Sequence, residues 1–205
     1  MTEYIEKGHI YLNSSGIIIP SVTQLVNYRF DYVYKDVPQD ILKRKARYGS
    51  KVHSLIEQYE NNICTIDEIE AMNIDPKIQS AVRRYAKFKE KNHLQVDKTE
   101  QMVEWNDRYA GRYDILTKDG HICDIKTTAV VHEEMLQLQL GLYYMAAGIK
   151  KDVGYCIWLP THDYGGVIEI KPWTWEECEV LVKEYEEYHA GQEGVLHNAQ
   201  DLSAS

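Results

Sequence analysis

Ala110-Gly111-Arg112-Tyr113-Asp114, followed after nine residues by Asp124-Ile125-Lys126, is the stretch of sequence that decides the fold. Lys118-Asp119-Gly120 between the two segments is typical of a hairpin connection, which predicts two paired strands. Because residues two apart on a strand point to the same face, Asp124 and Lys126 project together while Ile125 points into the core. Two carboxylates and one ammonium group are therefore expected to converge at one place.

The composition of the second strand decides between a solvated face and a chemical site. An isolated Asp-x-Lys usually lies on a solvated face, but Ile122, Cys123 and Ile125 indicate a buried strand. Charged side chains are rarely buried unless they are paired or bind a metal. Carboxylate oxygens are the ligands that Mg²⁺ prefers, and a neighbouring lysine can hold or deprotonate a water molecule. The residues thus favour a metal site suited to phosphodiester hydrolysis.

The order of predicted elements indicates an α/β protein with a central mixed β-sheet flanked by helices. The 205 residues are expected to form one domain over 1–190, with a flexible tail at 191–205. Within the domain we predict a β-ribbon at 1–19 and an N-terminal helical region at 20–93, in which Ser21 caps the first helix. The core at 94–190 contains three strands, a helix, two strands and a helix. The helices are predicted at about 39–61, 65–72, 76–92, 133–147 and 175–189, and the strands at about 94–105, 109–117, 121–127, 153–159 and 166–170.

The charge distribution bears on possible partners. The net charge of −9 argues against a nucleic-acid partner. Basic residues are nevertheless concentrated on the predicted helices at 39–61 and 76–92, whereas the acidic residues cluster late in the chain. A protein polarised in this way can still follow a phosphate backbone. The candidate contacts to nucleic acid are Arg44, Arg47, Lys51, Arg112 and Thr127.

Several protein classes are disfavoured by composition. No run approaches the roughly 20 apolar residues that span a bilayer, and the first residues do not resemble a signal peptide. A cytoplasmic protein without membrane association is therefore expected. The four cysteines are widely scattered and include no C-x-x-C pair. That spacing favours four small buried side chains over a zinc site, an iron–sulfur cluster or a disulfide framework.

Further polar residues are candidates for the same site. His53 lies within a predicted helix, one turn before Glu57 on the same face. Glu100 on the preceding strand can add a carboxylate, although Glu104 competes for that role. Gln139 and Tyr143, at i and i+4 on the helix after Lys126, share one helix face. A glutamine that faces inward requires a hydrogen-bond partner, and the lysine, a water molecule or a DNA backbone are candidates.

Four blocks in this order resemble the PD-(D/E)XK nucleases of the RecB-like exonuclease group. They cover much of residues 18–160, and Pro20-Ser21-Val22-Thr23 is similar to the start of the first helix in phage and mitochondrial exonucleases of the group. Each block is weak alone, but the four together at workable spacing are specific. They are Gly49-Ser50-Lys51-Val52-His53, Ala110-Gly111-Arg112-Tyr113-Asp114, Asp124-Ile125-Lys126-Thr127 and Gln139-Leu140-Gly141-Leu142-Tyr143.

The resemblance implies a restriction-endonuclease-like core and assigns a role to each block. Mg²⁺ or Mn²⁺ is bound by Asp114, Asp124 and the Ile125 carbonyl; His53 completes the shell and favours Mn²⁺, and Glu100 adds to it through water. Lys126 orients the attacking water, and Gln139 and Tyr143 position the lysine or the strand. Some relatives hold an iron–sulfur cluster on four cysteines, but this chain lacks that pattern, so no cluster is expected.

The function implied by the resemblance is a metal-dependent DNA exonuclease in phage or bacterial recombination, replication or repair. Its partners are then DNA with free ends, single- or double-stranded, and a recombination or single-strand-binding protein; if phage-encoded, it works in the host cytoplasm. Two alternatives stay open at this point. One is a sequence- or structure-specific endonuclease, which needs a base-reading element. The other is a DNA-end-binding module with little activity, which the intact Asp114, Asp124 and Lys126 disfavour.

Overall fold

An antiparallel ribbon forms the N-terminal part of the protein in a computed structural model, which describes residues 2–5, 10–161 and 165–203, with side chains up to residue 190. The ribbon consists of β1 (Glu3–Ile5), β2 (Ile10–Leu12) and β3 (Ile18–Ile19). Asn13 closes the turn between β2 and β3, because its side-chain oxygen accepts hydrogen bonds from the backbone of Ser15 and Ile17. The predicted ribbon is thus present, although residues 6–9 lie outside the described residues.

The helical region follows the ribbon and agrees with the sequence pattern. Ser21 caps α1 (Val22–Arg29) through a reciprocal capping box with Gln24, as predicted. A short 3₁₀-helix, which the sequence did not indicate, lies at Asp31–Tyr34. It leads into three further helices, α2 (Gln39–Glu60), α3 (Ile66–Ala71) and α4 (Pro76–Lys91).

A five-stranded mixed sheet forms the centre of the fold. Its strands lie side by side in chain order: β4 (Val96–Trp105), β5 (Tyr109–Thr117), β6 (Ile122–Lys126), β7 (Gly154–Trp158) and β8 (Gly166–Ile170). All neighbours are antiparallel except β6 and β7, which are parallel. A parallel pair needs a crossover, and α5 (Glu133–Ala147) supplies it. The predicted α/β class with a mixed sheet is confirmed.

Helices cover both faces of the central sheet, so its middle strand is buried on both sides. One buried cluster joins α1, α5 and the last helix to the sheet and includes Val22, Leu140 and Leu181. The opposite cluster joins α2, α3 and α4 to the sheet, and Ile125 of β6 belongs to it. Any polar side chain on β6 must therefore find its partners inside the protein.

The last helix, α6 (Trp175–Ser203), is longer than the sequence pattern predicts. The prediction of a helix ending near His189 and a tail from residue 191 differs from the structure, in which the helix passes Gly191 and Gly194. Its backbone lacks any proline that would stop it, and a single glycine costs only about 1 kcal/mol in a helix. Residues 204–205 lie outside the described residues.

Candidate metal centre

The β5–β6 hairpin brings the first aspartate to the second strand. Gly120 provides the left-handed backbone conformation of the turn, with φ +85°, and its amide donates to the Thr117 carbonyl at 2.9 Å. On the strands themselves, the backbone N–H of Ile125 donates to Oδ2 of Asp114 at 2.6 Å. One carboxylate oxygen of Asp114 is therefore held by the backbone of β6, which leaves the other oxygen for a second partner.

Asp124 and Lys126 form a buried ion pair on one face of β6. Lys126 Nζ lies 2.8 Å from Asp124 Oδ2, and only 3% of Asp124 is exposed to solvent. Ile125 between them packs on the opposite side of the sheet, as the alternation predicted. Oδ2 of Asp124 has no partner with hydrogen-bond geometry among the described residues, so its contact with the lysine is electrostatic. A buried carboxylate is tolerated when a cation lies beside it, and the Lys126 ammonium group is that cation here.

His53 and Glu100 complete a group of candidate ligands with Asp114. Nδ1 of His53 lies 3.2 Å from Oδ1 of Asp114 and 4.0 Å from Oε1 of Glu100. One ligand atom from each of the three residues lies within 4.8 Å of the other two. Because α2 carries His53 and β4 carries Glu100, the group joins three separate elements. The donor set of one imidazole and two carboxylates fits a divalent cation.

The predicted ligand set was larger than this group. Asp124 and the Ile125 carbonyl were also expected to bind the metal, but neither belongs to the three-residue group. The carboxylate of Asp124 is instead paired with Lys126, and Ile125 contributes its N–H to Asp114. A role for Asp124 and Ile125 as ligands therefore stays a prediction.

The structure distinguishes the two candidate glutamates on β4. Glu100 has a left-handed backbone, with φ +49°, which is rare for a residue with a side chain and is a form of local strain. Its carboxylate faces His53 and also pairs with Arg112 Nε at 2.9 Å. Glu104 lies elsewhere: it accepts hydrogen bonds from the Thr2 hydroxyl and the Asp107 backbone. Glu100 is thus the glutamate at the site.

Helix α5 holds the lysine from the other side. Oε1 of Gln139 accepts a hydrogen bond from Lys126 Nζ at 3.1 Å. The amide nitrogen of Gln139 donates to the Tyr143 hydroxyl at 3.4 Å, which fixes the orientation of the amide. The predicted contact between Gln139 and Lys126 is present, and Tyr143 supports it from one turn further along the helix.

Two glycines of the sequence blocks allow helices to approach the site. A Cβ atom on Gly111 would lie 2.7 Å from Val22 Cγ2 and 2.9 Å from Tyr143 Cε1, so only glycine fits between α1, α5 and β5. A Cβ on Gly49 would lie 3.2 Å from Oγ1 of Thr127, a tight contact between α2 and the end of β6. The buried Thr127 therefore packs against α2.

Three residues of the cluster have raised pKa values in the metal-free site, so they hold protons more tightly than in water. Burial lowers the pKa of His53, but the charge and hydrogen bond of Asp114, with Asp124 and Glu100, raise it overall to about 9. Burial, aided by the charge of Asp114 and opposed by Arg112 and His53, raises the pKa of Glu100 to about 7. Burial likewise raises the pKa of Asp124, against the influence of Lys126. These groups bind protons in competition with a metal ion.

Lys126 is a cation in this environment. Burial lowers the pKa of its ammonium group, but the nearby carboxylates of Asp124 and Asp114 outweigh burial and raise the pKa above its ordinary value of 10.5. In the metal-free site the group is therefore an ammonium ion, which can donate hydrogen bonds and stabilise negative charge.

The predicted basic contacts on α2 face away from the cluster. A cavity of about 580 Å³ reaches His53 and Lys126, and its basic lining residue on α2 is Lys45. Arg44, Arg47 and Lys51 do not line it because a helix turns by about 100° per residue, which places them opposite His53. Charge alone could not separate these residues, since all four are exposed. Arg112, by contrast, does lie at the site, where its guanidinium group pairs with the Glu100 carboxylate.

Tyr34 and His132 are two residues near the site that sequence reasoning missed. Both line the cavity beside Lys126, and their rings contact each other with centroids 5.7 Å apart. Neither belongs to a recognisable block: Tyr34 ends the 3₁₀-helix and His132 precedes α5. Only the tertiary fold brings them together, so no local signal could have found them.

The remaining predictions concern cysteines and membranes. Each of the four cysteines is buried with a free thiol, as expected for small packed side chains. No helix in the described part of the chain is long and apolar enough to cross a bilayer.

Comparisons with known proteins add little to this geometry. No protein-family model matches the chain, and no curated protein matches it. Among solved structures, the crystal structure of SSO0001 is similar, with 15% sequence identity over 84% of this chain and 75% of that chain, and a TM-score of 0.41. A likeness this distant carries no argument about function, so function must be argued from the site itself.

Proposed function

We propose that this protein is a metal-dependent deoxyribonuclease that hydrolyses phosphodiester bonds from free DNA ends. The observation that carries the proposal is the buried pair of Asp124 and Lys126 beside the group of His53, Glu100 and Asp114. Charges are costly inside a protein, and a site that needs both carboxylates and a lysine explains why they are retained. The restriction-endonuclease-like arrangement expected from the sequence blocks is part of this proposal, as is a cytoplasmic place of action on DNA.

The chain supplies the ligands and the electrostatic environment. His53, Glu100 and Asp114 would hold Mg²⁺ or Mn²⁺, while Asp124 pairs with Lys126 beside them. When bound, such a cation polarises a phosphoryl oxygen and lowers the pKa of water. The backbone N–H of Ile125 keeps the Asp114 carboxylate in position throughout.

Lys126 acts as a charged donor in this mechanism. Its raised pKa keeps the ammonium group protonated, so it orients the attacking water and stabilises negative charge on the phosphate. Gln139 accepts a hydrogen bond from one of the three N–H groups of Lys126, and Asp124 pairs with the charge of the lysine. These two contacts orient the ammonium group.

The test is digestion of end-labelled linear DNA beside circular single-stranded and plasmid DNA, with Mg²⁺, with Mn²⁺ and with EDTA. We expect metal-dependent loss of linear DNA only, and its absence in Lys126→Ala. A matched pair of variants on one strand sharpens the test: Glu100→Gln should lose most activity, whereas Glu104→Gln should keep it. Cleavage of circular DNA would show that the protein is an endonuclease rather than an exonuclease. Full activity of Lys126→Ala would contradict the proposed role of the lysine.

A further inference from the structure

Two cavities meet at Lys126. The larger, of about 580 Å³, is lined by α2 and the residues after β6, and the smaller, of about 230 Å³, lies toward α1 and α5. Both include Tyr34, Lys126, Thr128, Val130 and His132 among their lining residues. Lys126 therefore lies where the two cavities join, and the other four residues form a wall that both cavities share.

The shared wall contains a pair of rings. Tyr34 and His132 contact edge to face, with an interplanar angle of 85°. The loop that carries Val130 and His132 is fixed, because the Thr128 hydroxyl donates to the Val130 carbonyl at 2.7 Å and Trp158 Nε1 donates to the Thr128 carbonyl at 2.8 Å. A preformed wall of this kind costs little ordering free energy when a ligand binds.

The surfaces around the ring pair are mainly apolar. Ile41 and Leu42 line the larger cavity, and Met135 and Leu136 line the smaller one. Val130 of the shared wall is 62% exposed, so it adds apolar surface that a ligand can cover. Lys126 supplies the charged group at the junction of the two cavities. Apolar cavities with a few convergent polar groups are typical of ligand sites.

We propose that the two cavities take successive nucleotides of a single DNA strand, one on each side of the Tyr34–His132 pair, with the phosphate between them at Lys126. The proposal rests on the nuclease function proposed above and adds the form of the substrate. Bases stack on aromatic rings irrespective of sequence, so the ring pair supplies affinity without base specificity.

The size of the smaller cavity favours an unpaired nucleotide at this place. A volume of about 230 Å³ accommodates one base with part of its sugar, whereas a base pair with two backbones does not fit. An enzyme that places a base in such a cavity must act on a single strand or extrude the base from a duplex. We therefore infer that the preferred substrate is a single-stranded end, and that a blunt duplex is cut slowly.

The test places 2-aminopurine at successive positions from the end of a single strand and measures its fluorescence on binding to the protein in EDTA, which withholds the metal needed for cleavage. Stacking should quench the probe at two adjacent positions. Tyr34→Ala should weaken binding of the strand by about tenfold, the order expected for one lost stacking contact. Tyr32→Ala is the matched control, because Tyr32 lies on the same 3₁₀-helix, is 61% exposed and lines neither cavity.

Activity in the presence of metal gives a second readout. Tyr34→Ala should lower kcat/KM on single-stranded ends about tenfold, and Val130→Glu, at an exposed position that should not disturb folding, should do the same by repelling phosphate. Equal rates on blunt duplex and single strand, or equal behaviour of Tyr34→Ala and Tyr32→Ala, would overturn the two-cavity proposal while the nuclease stands. Position-specific quenching without metal-dependent cleavage of any DNA would instead overturn the nuclease.

Discussion

Nδ1 of His53 lies 3.2 Å from Oδ1 of Asp114, which makes this contact the charged link between helix α2 and strand β5. In the absence of a cation a proton holds the two groups together, because the pKa of His53 is raised to about 9. A metal ion that takes the imidazole must displace that proton. Proton binding and metal binding are therefore linked at this site.

The first prediction concerns the stability of the metal-free protein against pH. The folded state raises the pKa of Glu100 from 4.5 to about 7 and that of His53 from 6.5 to about 9. Each group thus stabilises the folded state fully below its unfolded pKa, and this stabilisation is lost as pH rises through the folded pKa. We expect the thermal midpoint to fall between about pH 5 and pH 9, as measured by circular dichroism.

Mn²⁺ should reverse this decline. Because the ligands must be deprotonated, the increase in Tm on adding Mn²⁺ should be larger at pH 8.5 than at pH 6. The control is His53→Ala, which should lose the part of the decline between about pH 6.5 and pH 9. A variant with the same pH profile as the wild type would show that His53 does not hold the linked proton.

The second prediction uses the left-handed backbone of Glu100. Glycine adopts φ +49° without the steric cost borne by other residues, which is about 1–2 kcal/mol. Glu100→Gly should therefore be more stable than Glu100→Ala by about 1 kcal/mol, as measured by urea unfolding. Both variants should bind Mn²⁺ more weakly by similar factors in calorimetry. Equal stability of the two variants would mean that the strand relaxes at this position.

The third prediction concerns Gly111. The added methyl group of Gly111→Ala meets Val22 and Tyr143 at less than van der Waals distance, and overpacking of this kind costs about 1–3 kcal/mol. Val22→Ala makes room, so the double variant should lose less stability than the sum of the two single changes. Gly166→Ala serves as the control, because nothing lies within 4 Å of a Cβ atom there. Additive losses in urea unfolding would contradict the proposed contact.

The fourth prediction separates the positioning of Lys126 from substrate binding. Gln139→Ala removes the acceptor of the 3.1 Å hydrogen bond from Lys126 Nζ, whereas the 2.8 Å contact with Asp124 stays, so the ammonium group is less firmly oriented. We expect kcat to fall by about tenfold or more with little change in KM, since the contact matters in the transition state. Tyr143→Phe, which keeps the Gln139 contact to the lysine, should have a smaller effect. A change in KM alone would assign Gln139 to strand binding.

Much of the fold followed from local patterns. The turn at Lys118-Asp119-Gly120, the alternation around Ile125 and the cap at Ser21 each depend on residues close in sequence, and each is present. The convergence of His53 with Asp114 was expected only through the resemblance, because no local rule joins a helix to a distant strand.

What could not be predicted depends on backbone geometry or on tertiary packing. Glu100 and Glu104 lie four residues apart, so strand alternation gives them the same face and cannot choose between them. The structure distinguishes them, because Glu100 has a positive φ and its carboxylate faces His53. The direction of Arg44 and Arg47 on α2, and the meeting of Tyr34 with His132, likewise depend on how the helices pack on the sheet.

The connection between α4 and β4, at residues 92–95, divides the candidate metal centre. His53 precedes this connection, whereas Glu100, Asp114, Asp124 and Lys126 all follow it. A chain severed there would yield two fragments that each hold an incomplete ligand set. If fused partners bring the two fragments together, recovered metal affinity would report that the candidate metal centre has reassembled.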